Sequence, residues 1–178
     1  MRAHILQHEP FEGPGSIATW LDTHQAVVTT TCLYRGNPQF PVVEDFDWLI
    51  VLGGGMSVND ETAFPWLVAE KAYVRRAIDG GKIVLGVCLG AQMIAAVLGS
   101  RVHRNAAREI GWFPIAREPD ADRHPMGKLF PEECVVFHWH GETFDLPPGA
   151  VRLVRSAACL NQAFVWGEGR VQGVAVLV

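Results

Sequence analysis

Lys82-Ile83-Val84-Leu85-Gly86-Val87-Cys88-Leu89-Gly90-Ala91-Gln92 is the stretch on which the fold is read. Ile83 to Val87 is a short apolar run, the pattern of a fully buried strand. It breaks at Cys88. From Leu89 to Leu98 the spacing turns helical, with Leu89, Met93 and Val97 on one face and Ile94 and Leu98 beside them. Gly86 and Gly90 flank the cysteine at two residues on either side. Gly-x-Cys-x-Gly at a strand-to-helix turn is the thiol form of a nucleophile elbow, whose strained centre needs small neighbours. A thiol at a helix N-terminus sits where the dipole favours thiolate, so a lowered pKa is expected. The plainer alternative is a core cysteine in an ordinary βα unit. The glycine pair weighs against it.

Composition narrows the field. A chain of 178 residues suits a single domain, 1–178, with a core of its own. Fifteen basic against nineteen acidic side chains, without a basic block, give nucleic-acid binding no electrostatic support. No basic N-terminal region leads into an apolar stretch, and no apolar run approaches the ~20 residues of a membrane span. Cytoplasm is therefore the expected location, with no membrane partner. Cys32, Cys88, Cys134 and Cys159 lie far apart with no Cys-x-x-Cys, which reads as reduced thiols rather than a disulfide framework.

Outward from the elbow, the first half alternates strand and helix. Strands are expected at Ala3 to Leu6, Ala26 to Leu33 and Asp47 to Leu52. Helices are expected from an N-cap at Ser16 through Leu21, and from Pro65 to a stop at Gly80-Gly81. This order favours an α/β fold with a largely parallel sheet covered on both faces. The second half is strand-rich: Ile110 to Ala116, Val135 to Trp139, Arg152 to Ser156 and Ala163 to Trp166, with helix only near Met126 to Phe130. Gly167-Glu168-Gly169 reads as a hairpin turn into a last strand, Val171 to Val178.

Ligands of open α/β sheets bind beyond the carboxyl ends of the strands. One such end presents Cys88; another presents Gly53-Gly54-Gly55, whose backbone N–H groups can approach a ligand closely. One donor from this loop and one from Leu89 would form an oxyanion hole. Gln92 stands one helical turn beyond Cys88, on the same side. In Val135-Val136-Phe137-His138-Trp139-His140-Gly141-Glu142, strand geometry puts His138 and His140 on one face with Cys134. A metal pair, a surface histidine at a strand end and a substrate-orienting group are the alternatives there. With no further ligand cluster apparent, no metal and no cofactor is expected.

Four segments, ordered along the chain as in that family, resemble the class I glutamine amidotransferases, in particular a stand-alone domain similar to the amidotransferase half of GMP synthase. They are Gly86 to Gln92, Leu52 to Val58, Arg108 to Trp112 and His140 to Glu142. The resemblance implies a flavodoxin-like amidotransferase fold, a mostly parallel sheet with helices on both faces and extra antiparallel strands in the second half. It implies Cys88 as nucleophile, N–H groups of Gly55 and Leu89 as oxyanion donors, Gln92 on the glutamine substrate and His140 near that pocket. The family reaction forms a glutamyl thioester, releases ammonia for a separate acceptor or synthase partner, and hydrolyses the thioester.

One segment departs from the family pattern. Members carry Gly-x-Gln-Phe-His-x-Glu on the last core strand, whereas Gly173 to Val178 places Leu177 where the histidine belongs and ends before any glutamate. Three explanations stand side by side. The polypeptide ends early or carries an altered tail; it binds glutamine or a partner without turnover; or another histidine, His140 by motif, serves as base. A γ-glutamyl peptidase or hydrolase is the enzymatic alternative, since the same thiol can attack a γ-glutamyl peptide bond.

Overall fold

The apolar run that opens at Trp48 is claimed by two cores in turn. Leu49 and Val51 join one, Ile50 and Leu52 the other, as the period of two in a strand requires. The computed structural model describes residues 1–174; Leu177 and the expected end of the last strand lie outside them.

The strands are β1 (Arg2–Gln7), β2 (Val27–Cys32), β3 (Trp48–Val51), β4 (Ile83–Val87), β5 (Val102–Arg117), β6 (Glu133–Phe144), β7 (Val151–Arg155), β8 (Ala163–Trp166) and β9 (Val171–Val174). The helices are α1 (Ser16–Thr23), α2 (Trp66–Asp79) and α3 (Leu89–Val97). One nine-stranded sheet runs β2-β1-β3-β4-β9-β8-β7-β5-β6. Every pair from β2 to β9 is parallel, and every pair from β9 to β6 is antiparallel. The expected α/β architecture holds, with β9 joining its two halves. Leu21 of α1 packs with Ala3, Ile5 and Ile50 on one face. Leu67 and Val74 of α2, with Met93 and Ile94 of α3, cover Leu6, Leu49 and Val84 on the other. No helix among the described residues is long and apolar enough to cross a membrane.

Three local expectations are corrected. Gly15, at φ 51°, takes the cap of α1 in place of Ser16, which becomes the first helical residue and makes no side-chain cap bond; a positive φ there favours glycine. β5 starts at Val102, well before Ile110, because its first half is polar and exposed and carries no apolar pattern. The helix expected near Met126 to Phe130 is a single 3-10 turn, Gly127–Leu129, with another at Pro119–Arg123. The two turns pack so closely that a Cβ on Gly127 would overlap the Ala121 carbonyl.

A buried histidine ties β1 to the edge strand. His4 is 2% exposed, with Nδ1 2.7 Å from Thr29 Oγ1 and Nε2 3.1 Å from Thr31 Oγ1. Burial lowers its pKa to about 4. Between that value and the ordinary 6.5, the unfolded chain binds a proton that the folded one refuses. Stability therefore falls as pH drops through this window, by roughly 3 kcal/mol in all. Urea unfolding at pH 7 and pH 4.5 should show wild type losing more than His4→Gln. Equal losses would remove His4 from the account.

Candidate active site

β4 delivers the chain to Cys88, which takes φ 52° and ψ −108°, a conformation costing on the order of 1–3 kcal/mol for a non-glycine residue. The Cys88 carbonyl then accepts the N–H groups of Ala91 and Gln92, starting α3. Both flanking glycines are required by close approach. A Cβ on Gly86 would overlap the Gly90 carbonyl group across the turn, and one on Gly90 would overlap the Val51 carbonyl oxygen at the end of β3. The elbow is thus wedged between its own two limbs and the neighbouring strand.

The thiol opens into a cleft of about 520 Å³. It donates to the Trp139 carbonyl at 3.7 Å and accepts the Leu89 N–H. Its pKa overturns the expectation from the helix dipole. Burial, and secondarily the Glu12 carboxylate, push it up to about 11 against the opposing Leu89 N–H. Glu12 is itself held above the usual carboxylate range, by burial first and Glu9 second. At pH 7 only about one thiol in ten thousand is then thiolate. Alkylation by iodoacetamide should accelerate about tenfold per pH unit from 8 to 10. Glu12→Gln should move that profile to lower pH. A rate already level at pH 8 would show the dipole winning after all.

The three glycines of the loop are placed differently. Gly53 is buried, and a Cβ there would lie 2.6 Å from Glu12 Oε2. Gly54 is packed between Met56, His8 and Leu89. Gly55 is exposed and lines the cleft. Beneath the loop, His8 Nδ1 meets the Gly53 carbonyl at 3.1 Å and Nε2 meets Glu70 Oε1 at 2.8 Å. Both side chains are fully buried. Burial alone would lower the His8 pKa, but Glu70, with the Gly53 carbonyl and Glu12, together outweighs it and the net shift is upward. With an acceptor at each ring nitrogen, His8 is the doubly donating imidazolium that pins the Gly53 peptide.

The opposite wall is the β5–β6 ribbon. Gln92 Nε2 donates to the Glu142 carbonyl at 3.3 Å, joining α3 to β6. The His140 side chain is 1% exposed. Its Nδ1 lies 3.2 Å from the Glu142 carbonyl, and its Nε2 lies 3.3 Å from Glu109 and 3.2 Å from Gln162. His138 is equally buried, with Nδ1 3.2 Å from Gln162 Nε2. Burial, chiefly, lowers the His138 pKa despite Glu109. Gln162 Nε2 also reaches Glu109 at 2.7 Å and Ser156 Oγ at 3.1 Å. Both histidines therefore belong to a buried polar network behind the cleft wall, in which His138 Nε2 and Gln162 Oε1 are left without a partner among the described residues, and not to a surface strand end. Cys159 adds a further group: its sulfur and ligand atoms of Glu109 and His140 lie within 4.8 Å of one another. That O, N, S set is of the kind that holds a divalent cation, with the Gln162 amide lodged against two of its members.

A family model described as glutamine amidotransferase class-I matches residues 23–174. The chain belongs to that family. It is 31% identical over 171 residues to the glutamine amidotransferase-like protein YfeJ of Salmonella typhimurium, covering 94% of this chain and 72% of that one. It is 29% identical over 127 residues to one subunit of the glutamine-hydrolysing GMP synthase of Methanoculleus marisnigri, covering 70% of this chain and 61% of that one. A glutamine amidotransferase of Thermotoga maritima superposes with a TM-score of 0.91 at 30% identity, covering 99% of this chain and 75% of that one. The chain thus spans between three-fifths and three-quarters of the length of these relatives.

Within the cleft, Cys88, Gly55, Gln92 and His140 come together as lining residues. Leu89 contributes its N–H to the sulfur. His140 lines the cleft while its ring points into the Glu109 network, so neither ring nitrogen is presented to the thiol. His8, Glu70, Glu12 and Gln162 were not singled out from sequence. One signal was present: Glu70 falls on the buried stripe of α2, between Leu67 and Val74, where an unpaired carboxylate is not tolerated.

Proposed function

We propose that this cleft binds a γ-glutamyl amide, glutamine in the first place, and that Cys88 is the nucleophile that opens it. The observation that carries the reading is the thiol on its elbow, facing the same cleft as Gly55 and Gln92. In this reading the sulfur bonds the γ-carbonyl carbon while the N–H groups of Gly55 and Leu89 receive the oxyanion. The C–N bond breaks, the thiol proton leaves with ammonia, and water cleaves the thioester to glutamate, restoring the thiol. Gln92 holds the substrate's glutamyl part. The released ammonia serves an acceptor or synthase on another polypeptide, a division of labour supported by relatives named as one subunit of a glutamine-hydrolysing GMP synthase. All four cysteines are free, which suits a reducing compartment such as the cytoplasm.

The thiol's raised pKa favours a second reading, glutamine binding without turnover. Two measurements separate them. Ammonia release from glutamine at pH 9.5, above a Cys88→Ala background, is expected if the thiol turns over. Labelling of Cys88 by 6-diazo-5-oxo-L-norleucine, an alkylating glutamine analogue, is expected to outpace iodoacetamide at equal concentration. Binding without ammonia release would select the second reading. Loss of binding and labelling together would end both.

A further inference from the structure

The cleft is larger than glutamine requires, at about 520 Å³, a size typical of sites for much bulkier ligands. Its outer part carries two cations. Pairing of β5 with β6 runs to Arg104↔Glu142 and resumes at Glu109↔His140. Residues 105–108 thus bulge opposite the single residue Gly141. The Arg108 stem lies across that glycine, with a Cβ there 3.3 Å from Arg108 Cγ. The bulge aims Arg104 and Arg108 at one cleft, a common use of such irregularities beside active sites. Both are exposed, and among the described residues neither has an ion-pair partner. The carboxylates of the same cleft are placed elsewhere: Asp60 accepts the Ser57 N–H at 2.8 Å, and Glu12 lies against Gly53. Glu142 is half-buried beside Gln92. Ile110 and Trp139, 58% and 56% exposed, complete an apolar rim.

We propose that Arg104 and Arg108 form a subsite for a carboxylate carried on the leaving amine of a γ-glutamyl substrate. The cleft then takes γ-glutamyl derivatives of amino acids or short peptides, with the added residue against Ile110 and Trp139. This rests on the γ-glutamyl reading of the cleft given above. The γ-carbonyl must reach Cys88 while both guanidinium groups stand at the solvent-facing rim, so the anion they meet is one that projects outward. Guanidinium groups suit this task, since their planar N–H pairs match a carboxylate. Bond changes are those of the amide reaction: sulfur replaces the amine on the γ-carbonyl carbon, the amine departs with the thiol proton, and water cleaves the thioester to glutamate, returning a proton to the sulfur.

Calorimetry on Cys88→Ala, which holds ligands without turnover, tests this with γ-glutamylglycine, γ-glutamylglycinamide and glutamine. The two peptides differ in the outer carboxylate alone. γ-Glutamylglycine is expected to bind at least tenfold more tightly than its amide. Adding Arg104→Ala and Arg108→Ala should bring that ratio to within twofold of one; Arg104→Lys with Arg108→Lys, which keeps the charge, should retain part of it. Equal affinities in the Cys88→Ala protein would overturn the subsite and assign the arginines to the α-carboxylate shared by all three ligands. A ratio that survives loss of both arginines, in a variant with unchanged circular dichroism, would overturn it too. If glutamine binds and neither peptide does, the subsite fails alone. If no ligand binds, the γ-glutamyl reading falls with it.

Discussion

Gly90→Ala is expected to leave little folded protein. The added methyl group would meet the Val51 carbonyl oxygen, a backbone atom of β3 in the middle of the parallel sheet, with the Val51 side chain at 3.0 Å behind it. Neither can rotate aside. Relief requires α3 to lift from the sheet, carrying Cys88 and the buried Leu89, Met93 and Ile94 with it. Overpacking of this kind costs about 1–3 kcal/mol where side chains yield, and more where only backbone is available. A loss of ~3 kcal/mol or more corresponds to a fall of about 6–12 °C in melting temperature for a domain this size. Gly13→Ala is the matched control: its Cβ meets nothing within 4 Å, so its melting temperature should stay within a degree or two of wild type. Equal melting temperatures for the two variants would mean that the elbow is looser than its contacts imply.

Glu109→Ala is the second large effect. Glu109 is 3% exposed and serves Gln162 at 2.7 Å, with His140 and His138 at 3.3 and 3.6 Å. Removing the carboxylate leaves two buried histidines and an amide around a void, and loss of one member of a buried charged set costs about 3–5 kcal/mol. The fall in melting temperature should be on the order of 10 °C. Glu109→Gln preserves the shape and should lose clearly less. The damage should also reach the cleft, because His140 and Glu142 share the strand whose Trp139 carbonyl receives the Cys88 thiol. A Glu109→Ala protein that melts with wild type would make the network an ornament of the fold.

The elbow was legible because its cause is local. Two glycines and a change of period sit within a few residues, and the contacts that demand those glycines are made largely by the elbow itself and by β3. The parallel strands were legible for a similar reason, since burial on both faces leaves an unbroken apolar run. The thiol's pKa was not. A helix N-terminus can be seen in sequence, but the burial and the Glu12 charge that outweigh it arrive from 76 positions away. His8 and Glu70 are separated by 62 residues and leave only a misplaced carboxylate on the stripe of α2 as a trace. The first half of β5 was hidden because the bulge at residues 105–108 faces solvent and breaks the period of two. For His140 the motif gives only a place beside the cleft; the direction of its ring is set by Glu109 and Gln162, which turn it away.

β9 gives the molecule a timetable. It stands between β4 and β8, paired parallel with one and antiparallel with the other. As a nascent chain emerges, β1 to β4 can assemble and the later strands can form hairpins, but among the described residues the parallel and antiparallel halves of the sheet share strand pairing only through β9, once residues 171–174 arrive. Contacts of such wide sequence separation form slowly. Until then β4 keeps an open edge beside the strained cysteine, the kind of unpaired strand that other chains can capture. Insertion of β9 should therefore come late in folding, and the edge of β4 beside Cys88 should be among the last parts of the sheet to close.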